Sequence, residues 1–315
     1  MSKEVKMRNY GVLGTGAVGG YYGGLLQKAG FPVHFLARSD AEALRLHGLQ
    51  VLSPRGNFHL NPIQVYDNSD QMPLCDVVLV SWKTTSNFHL GSILPKILKP
   101  DGIVLVLQNG FCPEAEVVQV MPEVKVISGL CFLCCQKKGP AVVEHLFHGS
   151  ITMAPYNLRV ASDAIPQWLL DVAQDFITAS VEIKMEGDWE FARWSKLVWN
   201  ICFNGTTALL GINTSQLLED PVLRQMVYQL AEETVSMAAL HGLQLHPKLI
   251  ERTVEGTRQM PPYDPSMKLD RDARRPMEIE SIYGDMLKSV HAKGGKAPSI
   301  SMIYALLVGV EGSLR

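Results

Sequence analysis

No stretch of this 315-residue chain reaches the ~18 consecutive apolar residues that a membrane span needs, so a transmembrane protein is not expected. Charge of one sign is lacking too. With 29 Lys and Arg against 31 Asp and Glu, the formal net charge is -2, which leaves no electrostatic footprint for nucleic acid or an anionic membrane. The opening residues, MSKEVKMRNYGVLG, pass from charged residues into a strand-like run with no signal-peptide core, so the expected location is cytoplasmic. There is no repeat and no low-complexity segment. Metal-site spacing is absent as well. Cys131, Cys134 and Cys135 cluster inside ISGLCFLCCQ, which reads as a buried strand, and no second Cys or His pair follows at zinc spacing. These thiols are expected to be reduced core residues, and no metal is expected.

What is present is a long chain, 47% hydrophobic and 19% charged, large enough for two domains with substantial cores. Arg8 to Leu13 reads as a short strand. It runs into Gly14-Thr15-Gly16-Ala17-Val18-Gly19, a G-x-G-x-x-G with the strand before and the helix after that this pattern requires. Gly14 permits the tight turn, Gly16 lets the backbone approach a pyrophosphate, and Gly19 lets the helix pack closely on the sheet. The diphosphate then sits at the positive end of the helix. A second strand, Val33 to Ala37, completes a β-α-β unit.

At the end of that strand an NAD-preferring site places an acidic residue on the ribose hydroxyls. This chain has Arg38 followed by Ser39, and a guanidinium pairs with a 2′-phosphate, so NADP is the expected cofactor. Asp40 reads as the N-cap of the helix AEALRLHG rather than as a ribose ligand.

Short strands are expected at Leu49 to Leu52 and Ile63 to Tyr66, around the turn PRGN. Asp76 to Ser81 is an almost wholly apolar strand of the kind found inside a parallel sheet, and it delivers Lys83 to the carboxyl end, where ligands bind. A helix at Asn87 to Leu98 and a strand at Gly102 to Leu107 repeat the unit. This strand delivers Asn109, whose amide both donates and accepts, although Asn-Gly is also a plain turn signal. Strands about Lys125 to Cys135, Ala141 to His145 and Ile151 to Ala154, a helix at Asp163 to Thr178 and a strand at Val181 to Lys184 close the first domain.

From Trp189 onward only helices are expected: Trp189 to Leu210, Pro221 to Leu240, Pro247 to Gly256, Met277 to Ala292 and Ser299 to Val310, with a bend over Leu209 to Leu218. The Met277 to Ala292 helix carries Glu278 and Glu280, and a charged segment leads into it. Gly187 and Asp188 mark the boundary, giving residues 1–187 to dinucleotide binding and 188–315 to a helical domain.

The helix Trp189 to Leu210 carries the strongest chemical signal. Lys196, Asn200 and Asn204 interrupt an apolar run at steps of four, and successive steps drift by only ~40° around a helix. One ammonium and two carboxamides therefore share a stripe on a mostly buried helix. A buried ammonium needs a partner, and buried amides need hydrogen bonds. The stripe is either an internal seam satisfied by backbone, or one wall of a cleft with Lys196 aimed at a carbonyl oxygen.

Taken together, GTGAVGGYYGGLL, Lys83, LQNG at Leu107 to Gly110, WSKLVWNICFN and PSMKLDRDARRPMEIESIYG resemble the ketopantoate reductases, the 2-dehydropantoate 2-reductases, over nearly the whole chain. The resemblance implies an α/β fold, with an N-terminal Rossmann-type domain, an all-helical C-terminal domain and a cleft between them. It implies NADPH-dependent reduction of a 2-oxo acid, with ketopantoate to pantoate in pantothenate synthesis as the named pair. By matching position, Lys196 is the catalytic lysine and Glu278 the active-site glutamate. Asn109, Asn200 and Asn204 hold substrate or cofactor, and Ser266 binds the substrate carboxylate. Asn109 and Glu278 join the glycine loop, Arg38 and Lys83 on the cofactor side.

The pattern departs from the family at Pro265-Ser266 in place of Ser-Ser, and at Asn204-Gly205-Thr206-Thr207 in place of the frequent Asn-Pro-hydrophobic-Thr. Asn213 matches a further substrate asparagine imperfectly and is left out. A related reductase acting on another 2-oxo or β-hydroxy acid, and a non-catalytic NADP-binding regulator, are the two rival readings. The expected partner is a small 2-oxo acid, and a homodimer is one arrangement left open.

Overall fold

The computed structural model describes residues 7–161 and 164–314. The expectation for Met1 to Lys6, and the first residue of the helix expected from Asp163, lie outside the described residues. The chain divides into two compact units. One runs up to Gln108 and resumes over Glu114–Trp189; the other joins Asn109–Pro113 to the chain from Glu190 onward.

In the first unit the order is β1 (Tyr10–Leu13), α1 (Ala17–Lys28), β2 (Val33–Leu36), α2 (Ala41–His47), β3 (Leu49–Leu52), β4 (Phe58–Leu60), β5 (Gln64–Tyr66), β6 (Cys75–Val80), α3 (Leu90–Ile97), β7 (Leu98–Val106), α4 (Glu114–Val120), β8 (Lys125–Gly139), β9 (Val142–Pro155), α5 (Gln167–Thr178) and β10 (Ile183–Met185). Among the described residues these strands form one sheet in the order β4-β3-β9-β8-β7-β6-β1-β2-β5, with β10 on β9. The run β8-β7-β6-β1-β2-β5 is parallel throughout. Its connections reverse direction at β1, which is where open α/β sheets hold their ligands.

Both faces of this sheet are covered, which is why the strands read as nearly unbroken apolar runs. On β6, Val77 and Leu79 join a core with Tyr22 of α1 and Phe176 of α5, while Val78 and Val80 join another with Leu90 and Leu94 of α3. Each fully buried Val or Leu contributes about 1.5–3 kcal/mol, so the two faces of β6 hold it at the sheet centre.

Three details differ from the sequence reading. The segments expected as separate strands at Ala141 to His145 and Ile151 to Ala154 are one strand, β9, paired antiparallel with β8, so the sheet is mixed. Polar His148 and Gly149 look like a break, but both adopt positive φ, 65° and 117°, inside the strand. The antiparallel partner of β3 is β4, beyond the PRGN turn, while β5 pairs with β2 instead. Asp40 does stand at the N-cap position of α2, but it gives no side-chain cap. Its carboxylate is engaged by Lys137, by the Ala141 N–H at 3.3 Å and by the Ser39 hydroxyl at 3.3 Å.

The second unit is helical among its described residues: α6 (Trp189–Leu210), α7 (Thr214–Glu219), α8 (Pro221–Leu240), α9 (Leu249–Arg258), α10 (Ser266–Asp272), α11 (Asp285–Ala292) and α12 (Pro298–Leu314). α6 is buried almost all round from Ala192 to Ala208, its polar stripe included. It is the spine of a core that includes Trp194, Phe203, Leu230, Tyr283 and Ile300.

The bend expected over Leu209 to Leu218 ends in α7. Asn213 caps that helix by accepting from the Gln216 N–H, while the Gln216 side chain accepts from the Asn213 N–H, a reciprocal capping box. The charged segment at Ser266 is itself a helix, α10. Its Lys268 spans the first turn to Asp264 at 3.2 Å and the last to Asp272 at 2.7 Å. Glu278 is not within a helix as expected. It stands one residue before the helical turn, and its carbonyl accepts from the Ile282 N–H at 3.2 Å. The next residues, Glu280–Gly284, form a π-helical turn that runs into α11.

Candidate active site

The expected site residues fall into two sets, one in each unit. In the first unit, the glycine loop joins β1 to α1 beyond the carboxyl end of β1. Gly14 has φ +93°, and an added Cβ would lie 2.6 Å from Trp82, so the sharp exit from the strand requires glycine. Thr15 is 8% exposed and its hydroxyl donates to the Leu36 carbonyl at 3.4 Å, tying the loop to the end of β2. A Cβ on Gly16 would meet nothing within 4 Å, so the backbone there faces open space. Gly16 is the N-cap of α1 and gives no side-chain cap, so no cap from that residue covers the amides of Ala17, Val18 and Gly19. A helix N-terminus facing open space at Gly16 suits a diphosphate. Gly19 sits so close to the sheet that a Cβ would lie 2.2 Å from both the Gly14 carbonyl oxygen and the Ser81 hydroxyl oxygen.

Arg38 is exposed just past β2, while the carboxylate of nearby Asp40 is already held by Lys137. A 2′-phosphate at this position meets a guanidinium and no unpaired acid from Asp40. Lys83 is half-buried beyond β6, at the N-cap of the 3-10 turn Thr84–His89. The loop residues, Arg38 and the sheet ends thus fit a dinucleotide carrying a 2′-phosphate.

Sequence reasoning missed a buried polar network under these loops. Asn87 and Gln108 are each 4% exposed. Gln108 Nε2 donates to the Trp82 carbonyl at 2.9 Å and to Asn87 Oδ1 at 2.7 Å. Trp82 Nε1 also donates to Asn87 Oδ1, at 2.9 Å. The motif LQNG drew attention to Asn109, but its Gln108 is the residue that ties the ends of β6 and β7 together. A cavity lined by Arg8, Asp76, Lys99 and Asp101 lies at the opposite, amino ends of those strands and carries none of the expected residues.

In the second unit, Lys196, Asn200 and Asn204 lie on one stripe of α6 and are 8%, 2% and 1% exposed. The amides are not left to backbone. Asn204 Nδ2 donates to Asn200 Oδ1 at 3.2 Å, and the Ser266 hydroxyl donates to Asn204 Oδ1 at 3.4 Å. Ser266 is the first residue of α10 and is half-buried. Glu278 is 7% exposed. Asn109 belongs to this unit as well, since the Phe111 N–H donates to the Ser281 carbonyl at 2.7 Å, three residues beyond Glu278. Phe111 then packs edge-on against Trp194 at 5.5 Å, two residues before Lys196. The structure therefore joins Asn200, Asn204 and Ser266 by direct bonds and brings the Asn109 and Glu278 segments together. Asn213 caps α7 with its side chain, which accounts for it without a ligand.

The two carboxamides and the hydroxyl are joined by hydrogen bonds on the stripe of α6 that also bears Lys196, and such groups can polarise a carbonyl and grip an anionic group.

Comparison with known proteins identifies the family. Residues 10–157 match the family model described as ketopantoate reductase PanE/ApbA, and residues 188–311 match its C-terminal counterpart. The chain is 42% identical to a 2-dehydropantoate 2-reductase of Nostoc sp. over 308 residues, covering 98% of this chain and 97% of the relative. The crystal structure of a 2-dehydropantoate 2-reductase from Geobacter metallireducens superposes with a TM-score of 0.91 at 32% identity, covering 96% of this chain and 99% of that one. A dimeric ketopantoate reductase from Staphylococcus aureus shares the fold, with a TM-score of 0.81 at 19% identity over 98% of this chain and 100% of that one.

Proposed function

This chain belongs to the ketopantoate reductase family, and we propose that it reduces 2-dehydropantoate to pantoate with NADPH. The observation that carries the reading is the hydrogen-bonded series Ser266, Asn204, Asn200 on the stripe that also bears buried Lys196.

The unit that spans β1 to β10 is the cofactor half, within residues 1–187, and residues 188–315, joined by Asn109–Pro113, are the substrate half. The glycine loop and Arg38 would hold NADPH, which would supply the hydride.

A ketone oxygen gains negative charge as hydride reaches its carbon, and Lys196 meets that charge with an ammonium and delivers the proton. Asn200 and Asn204 hold the substrate in register. The Ser266 hydroxyl turns from Asn204 to the substrate carboxylate, exchanging a long 3.4 Å bond for a charge-assisted one. Glu278 accepts from the terminal hydroxyl of the substrate or orients Lys196, and Asn109 contacts substrate or cofactor.

NADPH oxidation with ketopantoate, 2-oxoisovalerate and pyruvate tests the proposal, run on the protein and on Glu278→Ala. Ketopantoate should be the preferred substrate. Glu278→Ala should weaken its kcat/KM far more than that of 2-oxoisovalerate, which lacks the hydroxyl, because a buried acceptor rejects an analogue missing its donor by up to ~10⁴-fold. Equal losses assign Glu278 to Lys196 alone, and a preference for another acid removes the substrate assignment.

A homodimer in the cytoplasm completes the proposal. In its support, α12 exposes Met302, Leu306 and Val308, at 65%, 53% and 46%. Sedimentation equilibrium reading a single-chain mass removes the dimer. No described helix is long and apolar enough to cross a membrane.

A further inference from the structure

The turn of α6 between Asn200 and Asn204 is held from outside the helix. A regular helix pairs the N–H of residue 205 with the carbonyl of residue 201. Here the Tyr283 hydroxyl engages both groups, accepting from the Gly205 N–H at 2.9 Å and donating to the Ile201 carbonyl at 2.9 Å. Residue 205 has to be small for this contact, since a Cβ there would lie 2.4 Å from the Tyr283 oxygen.

The next two carbonyls also take hydroxyl donors. Thr206 donates to Cys202, and Thr207 donates to Phe203 at 2.6 Å. Three successive carbonyls, from 201 to 203, thus carry a side-chain donor, and hydroxyls bonded back in this way reshape a helical turn. The two residues that bound this turn are Asn200 and Asn204, which share a hydrogen bond. Tyr283 is fully buried and comes from the π-helical turn Glu280–Gly284 that follows Glu278, a form of turn frequent at functional sites.

We infer that Tyr283 is a positioning residue for the reduction. Its hydroxyl fixes the α6 turn between Asn200 and Asn204, and with it the spacing of the two carboxamides and of the acceptor that Ser266 uses. The inference rests on the reading of Asn200 and Asn204 as substrate contacts. It also gives residue 205 a role: the departure from the family's frequent proline supplies an N–H and the space for a phenol to reach it. Burial holds the phenol well above its usual pKa, so it remains a donor at all working pH values.

The test compares Tyr283→Phe, Asn204→Ala and the double variant, with kcat and KM for ketopantoate and the Kd for NADPH. Tyr283→Phe keeps the ring and removes only the bridge. Because misplacing a bound substrate by about 1 Å costs on the order of 10²-fold, its kcat/KM should fall ten- to a hundredfold, with NADPH affinity within twofold. If Tyr283 acts through Asn204, the double variant should be no worse than Asn204→Ala alone. Gly205→Ala disturbs the contact from the other side and provides an independent arm should Tyr283→Phe fold poorly. A Cβ at 205 would meet the Tyr283 oxygen at 2.4 Å and Leu307 at 2.8 Å, so the phenol has to shift, and the proposal predicts the same fall in kcat/KM with NADPH affinity again within twofold. Multiplying losses in the double variant, or full activity in Tyr283→Phe or in Gly205→Ala, overturn the inference alone. Full activity in Asn204→Ala overturns the substrate-contact reading, and the inference with it.

Discussion

The backbone N–H of Phe111 donates to the Ser281 carbonyl at 2.7 Å, which fastens the turn carrying Asn109 to the turn that follows Glu278. Gly110 makes this approach feasible. Its φ is +127°, and a Cβ would sit 3.0 Å from both the Ser281 Cβ and the Ser281 carbonyl oxygen. Gly110→Ala meets both the steric conflict and a backbone conformation costing about 1–3 kcal/mol. The expected result is a KM for ketopantoate raised at least tenfold, with NADPH affinity within a few-fold. Unchanged steady-state kinetics would show that the turn is not held where the substrate needs it.

Cofactor preference is expected to rest on Arg38. One charge-assisted contact to a phosphate is worth ~1.5–3 kcal/mol, roughly ten- to a hundredfold in affinity. Arg38→Ala should lose that much NADPH affinity and leave NADH binding nearly unchanged. Asp40 is not expected to take over as a ribose ligand, because Lys137 already holds its carboxylate. Equal use of both cofactors by the unmodified protein would refute the assignment.

Acid sensitivity is expected in the first unit. His145 is 2% exposed and stacks on Tyr21 at 4.5 Å. The Ser53 hydroxyl oxygen lies 2.8 Å from His145 Nδ1, and His145 Nε2 donates to the His148 carbonyl at 3.1 Å. Burial lowers the pKa of the ring, favouring its neutral form. The unfolded chain takes up this proton first as pH falls, near the ordinary histidine value of about 6.5. The stabilisation is complete above that value and is lost as pH falls through the lowered folded pKa. His34, His148 and His241 are lowered by burial in the same sense. Tm should drop between pH 7.5 and 5.5, and His145→Gln should flatten the slope. An equally steep slope in that variant would remove His145 from the account.

The parts legible in the sequence were those governed by local pattern. α6 has the bounds read from its largely apolar run, Trp189 to Leu210, and the glycine loop lies between strand and helix as its spacing required. Local pattern misled where the backbone did something its residues do not advertise, as at His148 and Gly149, which bend within β9 instead of ending it. The i,i+4 series Asp264, Lys268, Asp272 was a helix signal inside a segment read only as charged. Contacts between distant positions left no signal at all. Nothing near Gly205 points to Tyr283, 78 residues on, and chain order alone attaches Asn109 to β7 rather than to the helical unit.

Lys196→Ala asks whether the polar stripe of α6 performs the reduction. Single-turnover oxidation of NADPH with saturating ketopantoate gives the rate of the chemical step, and fluorescence titration gives NADPH affinity in the same preparation. Loss of a positioned acid costs about 10²–10⁴-fold, so the account predicts a fall of that size with NADPH binding within a few-fold. A variant that binds NADPH normally and turns over at nearly the original rate would contradict it, leaving Lys196, Asn200 and Asn204 as an internal seam.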